Sequence, residues 1–305
     1  MKKLLVTMFL LGVSRIIIAQ ENKDTVVPKY WDMGGTLAVN VSQSTFSNWA
    51  AGGENYYGGT GFVNLLANYK KEKVSWDNKL DLGFGIIKQG ERPVFKTEDK
   101  IDLSSKYGRR ATEHWNYTVL FGFKSQFYQG KKSINDTTKI SNFMAPAYLM
   151  FSIGMDYKPI KGFSLFLSPI SLKTTYVLDK QLSARGAFGV KPDSKNPKSL
   201  YEIGGYLKSE YKTNIIENIE YKGKLELFSN YLEKPQNITI NWETTLNFKI
   251  NKFFSANFYL TMIYDDKVKT KIPQDDGTVR ESPKIQIKQI FGVGFTYNCN
   301  FDKKD

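Results

Sequence analysis

The sequence predicts an all-β fold, a transmembrane antiparallel up-and-down β-barrel of about twelve strands with short periplasmic turns and longer extracellular loops. Three observations carry that prediction. From Trp31 to the C terminus, apolar or aromatic residues alternate with polar, charged or glycine residues in segment after segment, the period at which successive side chains of a strand point to opposite faces. Beyond the first residues, no run approaches the ~20 apolar residues of a membrane-spanning helix. The links between alternating segments are by turns short and long, as in a barrel that keeps both termini on one side of a membrane.

Residues 1–19 read as a secretory signal peptide: Lys2 and Lys3 supply the basic start, Leu4 to Val13 the apolar stretch, and Ala19 a small residue for cleavage. Ser14 and Arg15 interrupt the apolar run too early for a membrane anchor. Residues 20–30 form a polar periplasmic lead-in, and residues 31–305 the outer-membrane barrel.

Strands are expected at 33–43, 57–70, 73–87, 100–108, 113–128, 146–158, 162–178, 200–213, 217–231, 237–250, 253–264 and 284–301. In the third, Trp76, Leu80, Leu82, Phe84 and Ile86 would face lipid while Asp77, Lys79, Asp81, Gly83 and Gly85 face the lumen, with Asn78 out of pattern. The fifth sets Trp115, Tyr117, Val119, Phe121 and Phe123 against Asn116, Thr118, Gly122 and Lys124. Aromatics at both ends of such strands suit the two membrane interfaces. A soluble sandwich would alternate as well, but it would bury its aromatics in a core. Short links such as Lys71–Glu72 and Asn251–Lys252 read as periplasmic turns. Residues 44–56, 88–99, 129–145, 179–199 and 265–283 read as extracellular loops. The last strand ends on Phe301 four residues before the terminus; it resembles the aromatic-ended strand by which the barrel-assembly machinery recognises clients.

The chain carries a formal charge of +13, which falls to +10 when the leader takes away Lys2, Lys3 and Arg15 and no acid. That excess suits anionic surface lipid, including lipopolysaccharide, and no nucleic-acid motif accompanies it. Cys299 is the only cysteine and His114 the only histidine, so disulfide frameworks, His/Cys metal sites and most triads are excluded. No cofactor, metal or catalytic residue is assigned. The inward charges Lys208, Glu210, Lys212, Glu220, Lys222, Lys224, Glu226, Glu243 and Lys249, with Glu202, are mixed in sign. Such a set would pair across neighbouring strands and narrow the lumen, where a ladder of one sign would mark an ion-selective pore.

The most distinctive text is Trp31-Asp32-Met33-Gly34-Gly35 followed by Phe46-Ser47-Asn48-Trp49-Ala50-Ala51-Gly52-Gly53-Glu54-Asn55. It resembles an uncharacterised, domain-of-unknown-function family of Bacteroidetes outer-membrane β-barrels with an FSNWAAGGEN motif near the mature N terminus. The resemblance implies an envelope address and a barrel, and brings no activity with it. Physically, Phe46 and Trp49 suit an interface, and Gly52 and Gly53 a backbone that doubles back. A tight loop closing the first hairpin explains the segment, and Phe46, Trp49, Gly52, Gly53, Glu54 and Asn55 are also the candidate ligand or partner contacts.

Two roles follow. The first is a porin-like narrow channel or small-solute uptake protein; the second is a non-enzymatic envelope component that binds a partner protein or lipid. An outer-membrane lipid hydrolase is a third reading, resting on His114 with Ser104 or Ser105. The predicted register sets His114 beside a periplasmic turn, away from the outer leaflet where such chemistry would work.

Overall fold

The computed structural model describes residues 30–47, 54–133, 135–136, 138–273 and 279–301. The expected signal peptide, and Trp49, Gly52 and Gly53 of the candidate loop, lie outside the described residues.

Twelve antiparallel strands close into one ring. They are β1 (Trp31–Ser44), β2 (Tyr56–Lys71), β3 (Val74–Gln89), β4 (Phe95–Arg110), β5 (Trp115–Ser125), β6 (Ala147–Tyr157), β7 (Phe163–Tyr176), β8 (Ser199–Ile216), β9 (Ile219–Asn230), β10 (Thr239–Lys249), β11 (Phe254–Tyr264) and β12 (Gln286–Asn300). Each pairs with its chain neighbours, and β1 pairs with β12 from Gly34↔Asn300 to Asn40↔Gly294, so no edge is left bare. The expected fold class is the observed one. Every strand limit falls within three residues of its expected position except the start of β4, which lies at Phe95. The loop expected at 88–99 therefore shrinks to a tight link. The ladder continues past a bulge between Gly85 and Ile86, carrying Ile87 opposite Phe95.

Two features of the long loops escaped the sequence reading. Gly130–Lys131 pairs with Lys139–Ser141, and Lys269–Pro273 with Val279–Pro283. A short helix, α1 (Lys180–Ala184), follows β7. Alternation reveals neither, because both are local to loops and too short to set a period. Around α1 a small core of Ala145, Val177, Leu182 and Val190 ties the β5–β6 and β7–β8 loops together at the long-loop end.

The outer wall is apolar, with Leu37, Val39, Phe121, Phe151, Ile153, Leu172, Trp242 and Phe291 all exposed on it. Aromatics gather at the short-turn end, where Trp31 packs on Tyr69 and Trp76 at 5.2 and 6.0 Å and Trp115 on Tyr157 at 4.7 Å. Asn78, the residue out of pattern, is accommodated there. Its side-chain N–H donates to the Ala67 carbonyl (3.0 Å) and its oxygen accepts from Ser105 (2.7 Å), which itself accepts from the Trp76 indole (2.8 Å). A closed network is what a polar group on an apolar wall needs.

Candidate functional site

The lumen is crossed by side chains of one strand. Along β4 the inward row is Glu98, Lys100, Asp102, Ser104 and Lys106, alternating with the outward Ile101 and Leu103. Each inward residue reaches a different part of the opposite wall. Glu98 accepts from Lys288 of β12 at 2.9 and 3.0 Å. Lys100 donates to Glu243 of β10 at 2.7 Å, and Asp102 accepts from Lys224 of β9 at 2.9 Å. Ser104 accepts from Lys208 of β8 at 3.1 Å, and Lys106 donates to Ser164 of β7 at 2.7 Å while pairing with Asp156 of β6 at 2.9 Å. In a ring of twelve, β10 stands diametrically opposite β4. These contacts form a septum.

Either side of the septum is built differently. On the β5–β9 side, Leu120, Phe166, Tyr206 and Phe228 form a buried apolar cluster joined by Met150. Phe166 has no exposed surface. This half of the lumen is packed as a soluble core is packed. The Tyr206 hydroxyl donates to Glu226 at 2.7 Å, and Glu226 is held further by Lys124 and by Asn241 (2.7 Å). On the other side a cavity of about 500 Å³ remains between β1–β4 and β8–β12. It runs from Asp32 and Lys212 near the short turns to Glu98 and Lys288 in the long-loop half, and Phe62 stacks on Tyr259 at 4.6 Å along its wall.

The predicted inward charges take these places. Lys208 pairs with Glu210 at 3.2 Å, and Glu220 accepts from both Lys212 (2.9 Å) and Lys222 (2.8 Å). Lys224 joins Asp102 to Glu243, which it meets at 2.8 Å, and Glu226 meets Lys124. Lys249 sits opposite Ser255 at the short-turn end, exposed. Pairing between neighbouring strands therefore covers only part of the set, because closure brings β4 within reach of the charges on β9 and β10. The candidate set drawn from the sequence left out Glu98, Lys100, Asp102, Lys106 and Lys288; only Glu98 lies before the expected start of β4, while Lys100, Asp102 and Lys106 fall within the expected strand and Lys288 within the last one. The period-two row of charges from Glu98 to Lys106 was the available signal. The apolar cluster had a signal too: Leu120 and Phe228 stand on the polar parity of their strands.

Glu202, 1 % exposed, marks the long-loop end of the lumen. Lys267, from the β11–β12 loop, bonds it, as does Asn230 at 3.2 Å, and Lys173 lies 3.4 Å away. Of the candidate loop residues, Asn55 accepts the Phe46 N–H through its side chain at 2.6 Å, and Glu54 pairs with Arg92 at 2.9 Å. These contacts tie the loop's two ends to each other and to the β3–β4 link. His114 stacks edge-on against Tyr157 at 6.3 Å at the short-turn end. Ser104 engages Lys208 in the lumen, and Ser105 belongs to the outer-wall network.

In the loops, Asp179 caps α1 by accepting from the backbone N–H groups of Gln181 (3.0 Å) and Leu182 (3.2 Å). It also accepts from Lys139 (2.7 Å) and Asn142 (2.9 Å) of the preceding long loop. Its pKa lies below the usual carboxylate value, chiefly because of the Lys139 hydrogen bond. A lowered folded-state pKa means that the loop tie is fully present above the unfolded value of about 3.9 and is lost only as pH falls below it. Amide hydrogen exchange at Gln181 and Leu182 should therefore stay protected down to about pH 4. Asp179→Ala should remove that protection at neutral pH, at a cost of about 0.5–2 kcal/mol for the lost cap. Unchanged exchange in the variant would show that the cap does not hold the loop.

Two family models match the chain. Residues 41–130 match a protein family of unknown function, DUF3078, and residues 173–280 match a second, DUF481, also of unknown function. The first runs from the end of β1 through β5 and the second from the end of β7 into the β11–β12 loop. No curated protein matches. Among solved structures, the chain is similar to the outer membrane channel from Pseudomonas putida F1, at 11% identity over 93% of this chain and 100% of that one, with a TM-score of 0.38. It is also similar to the translocator domain of the autotransporter NalP from Neisseria meningitidis (9% identity, 96% and 94% coverage, TM-score 0.36) and to the NanC porin (8% identity, 86% and 98% coverage, TM-score 0.34).

Proposed function

We propose that this chain is an outer-membrane barrel that takes a small polar solute into and through its lumen. The apolar outer wall with its aromatic rim supports the membrane setting. The observation that carries the solute reading is the cavity of about 500 Å³ left open beside the septum, into which polar and charged side chains project among apolar ones. A barrel needed only as a rigid anchor could fill this half of the lumen with apolar residues as the other half is filled. Both termini lie on the periplasmic side in this reading, the signal peptide is removed on export, and the barrel-assembly machinery inserts the chain among outer-membrane lipids and lipopolysaccharide. The role is non-enzymatic. The loop core around α1, which presents a fixed surface at the long-loop end, favours a second reading in which the barrel holds an envelope protein partner or lipid.

The two readings separate on solute flux. Refolded protein, verified as a barrel by heat-modifiable gel mobility, is reconstituted in liposomes, and swelling is followed in a small neutral sugar such as a pentose. Faster swelling than in protein-free liposomes is the expected result. Equal rates from a verified barrel would overturn the solute reading and direct attention to the loops.

A further inference from the structure

Charge is balanced around the cavity in a way that bears on what can enter it. Lys288 is matched to Glu98, Lys100 to Glu243, and Lys79 to Asp81 at 3.1 Å, while Lys224 bridges Asp102 and Glu243. A solute of a single sign must open one of these pairs and leave the displaced partner without its counter-charge inside the lumen; the lysines reach into the open space, Lys288 being 47 % exposed, and the loss is greatest at Glu98, which is 4 % exposed. A solute carrying one ammonium and one carboxylate replaces both partners at once: its carboxylate takes the lysine and its ammonium the acid. A neutral hydroxylated solute offers both sides weaker, uncharged partners. From this matching we infer that the cavity selects small zwitterions of amino-acid type over ions of either sign. The inference rests on the solute reading above and adds the chemical class of the solute.

Three solutes of nearly equal size test it: alanine as zwitterion, lactate as anion and 2-aminopropanol as cation. Uptake of each labelled compound into proteoliposomes is measured at pH 7 and zero membrane potential, after subtracting protein-free liposomes, with the pentose as reference. Alanine should enter about tenfold faster than either ion or more, the factor that a modest penalty for one unpaired charge produces. Glu98→Gln, which leaves Lys288 without its acid, should raise lactate uptake, and Lys288→Gln should raise uptake of 2-aminopropanol. Equal rates for the three compounds, or preference for one ion, in the unmodified protein would overturn the inference while passage itself stands. If neither the pentose nor any of the three enters, the solute reading fails and this one with it. Because the deciding comparison is made on the unmodified chain, poor folding of either variant does not obscure it.

Discussion

Asp102→Ala should be the most damaging single change in the lumen, lowering the stability of the refolded barrel by about 3–5 kcal/mol. Asp102 is buried at the middle of the septum and accepts from Lys224, whose other paired acid among the described residues, Glu243, is already shared with Lys100. Removing the carboxylate leaves the nearly buried Lys224 and the partly exposed Lys100 competing for one acid. The expected readout is the urea midpoint of the heat-modifiable form in lipid, taken at constant slope. Lys212→Ala is the matched control: its side chain is 56 % exposed, and its pair with Glu220 at the short-turn rim is of the kind worth only about 0–1 kcal/mol. Equal shifts for the two variants would mean that water reaches the septum and screens it.

Phe166→Ala should cost a comparable amount by another route, about 3–5 kcal/mol from lost burial and the cavity left behind. Phe166 is fully enclosed by the cluster of Leu120, Tyr206 and Phe228, and its ring faces Tyr206 at 6.3 Å in an edge-on arrangement. Phe166→Leu, which keeps most of the volume, should lose far less. A loss below about 1 kcal/mol for the alanine variant would show that the apolar half of the lumen is loosely packed, contrary to the contacts seen here. One substitution lies in the septum and the other in the apolar cluster beside it, one electrostatic and one apolar. Their effects should add, because they share no partner.

The class of fold, the number of strands and the inward parity of several of them, β3, β5, β9, β10 and β12 among these, follow from the pattern of residues alone. The reason is physical: side chains alternate across a strand with period two whatever the strand packs against, so Trp76, Leu80 and Leu82 reveal an outer face without reference to any neighbour. Boundaries were legible where a short turn ends the alternation, as at Glu72, and not at the start of β4, where a bulge at Gly85 let the ladder run on. Of the candidate site, the inward direction of Lys224, Glu226 and Glu243 could be read from parity, but their partners could not. Lys100 and Glu243 are separated by 143 residues and belong to strands that never pair. Only closure of the ring, through β1 against β12, sets β4 opposite β10 and so turns a row of alternating charges into a septum with a polar cavity on one side and an apolar core on the other.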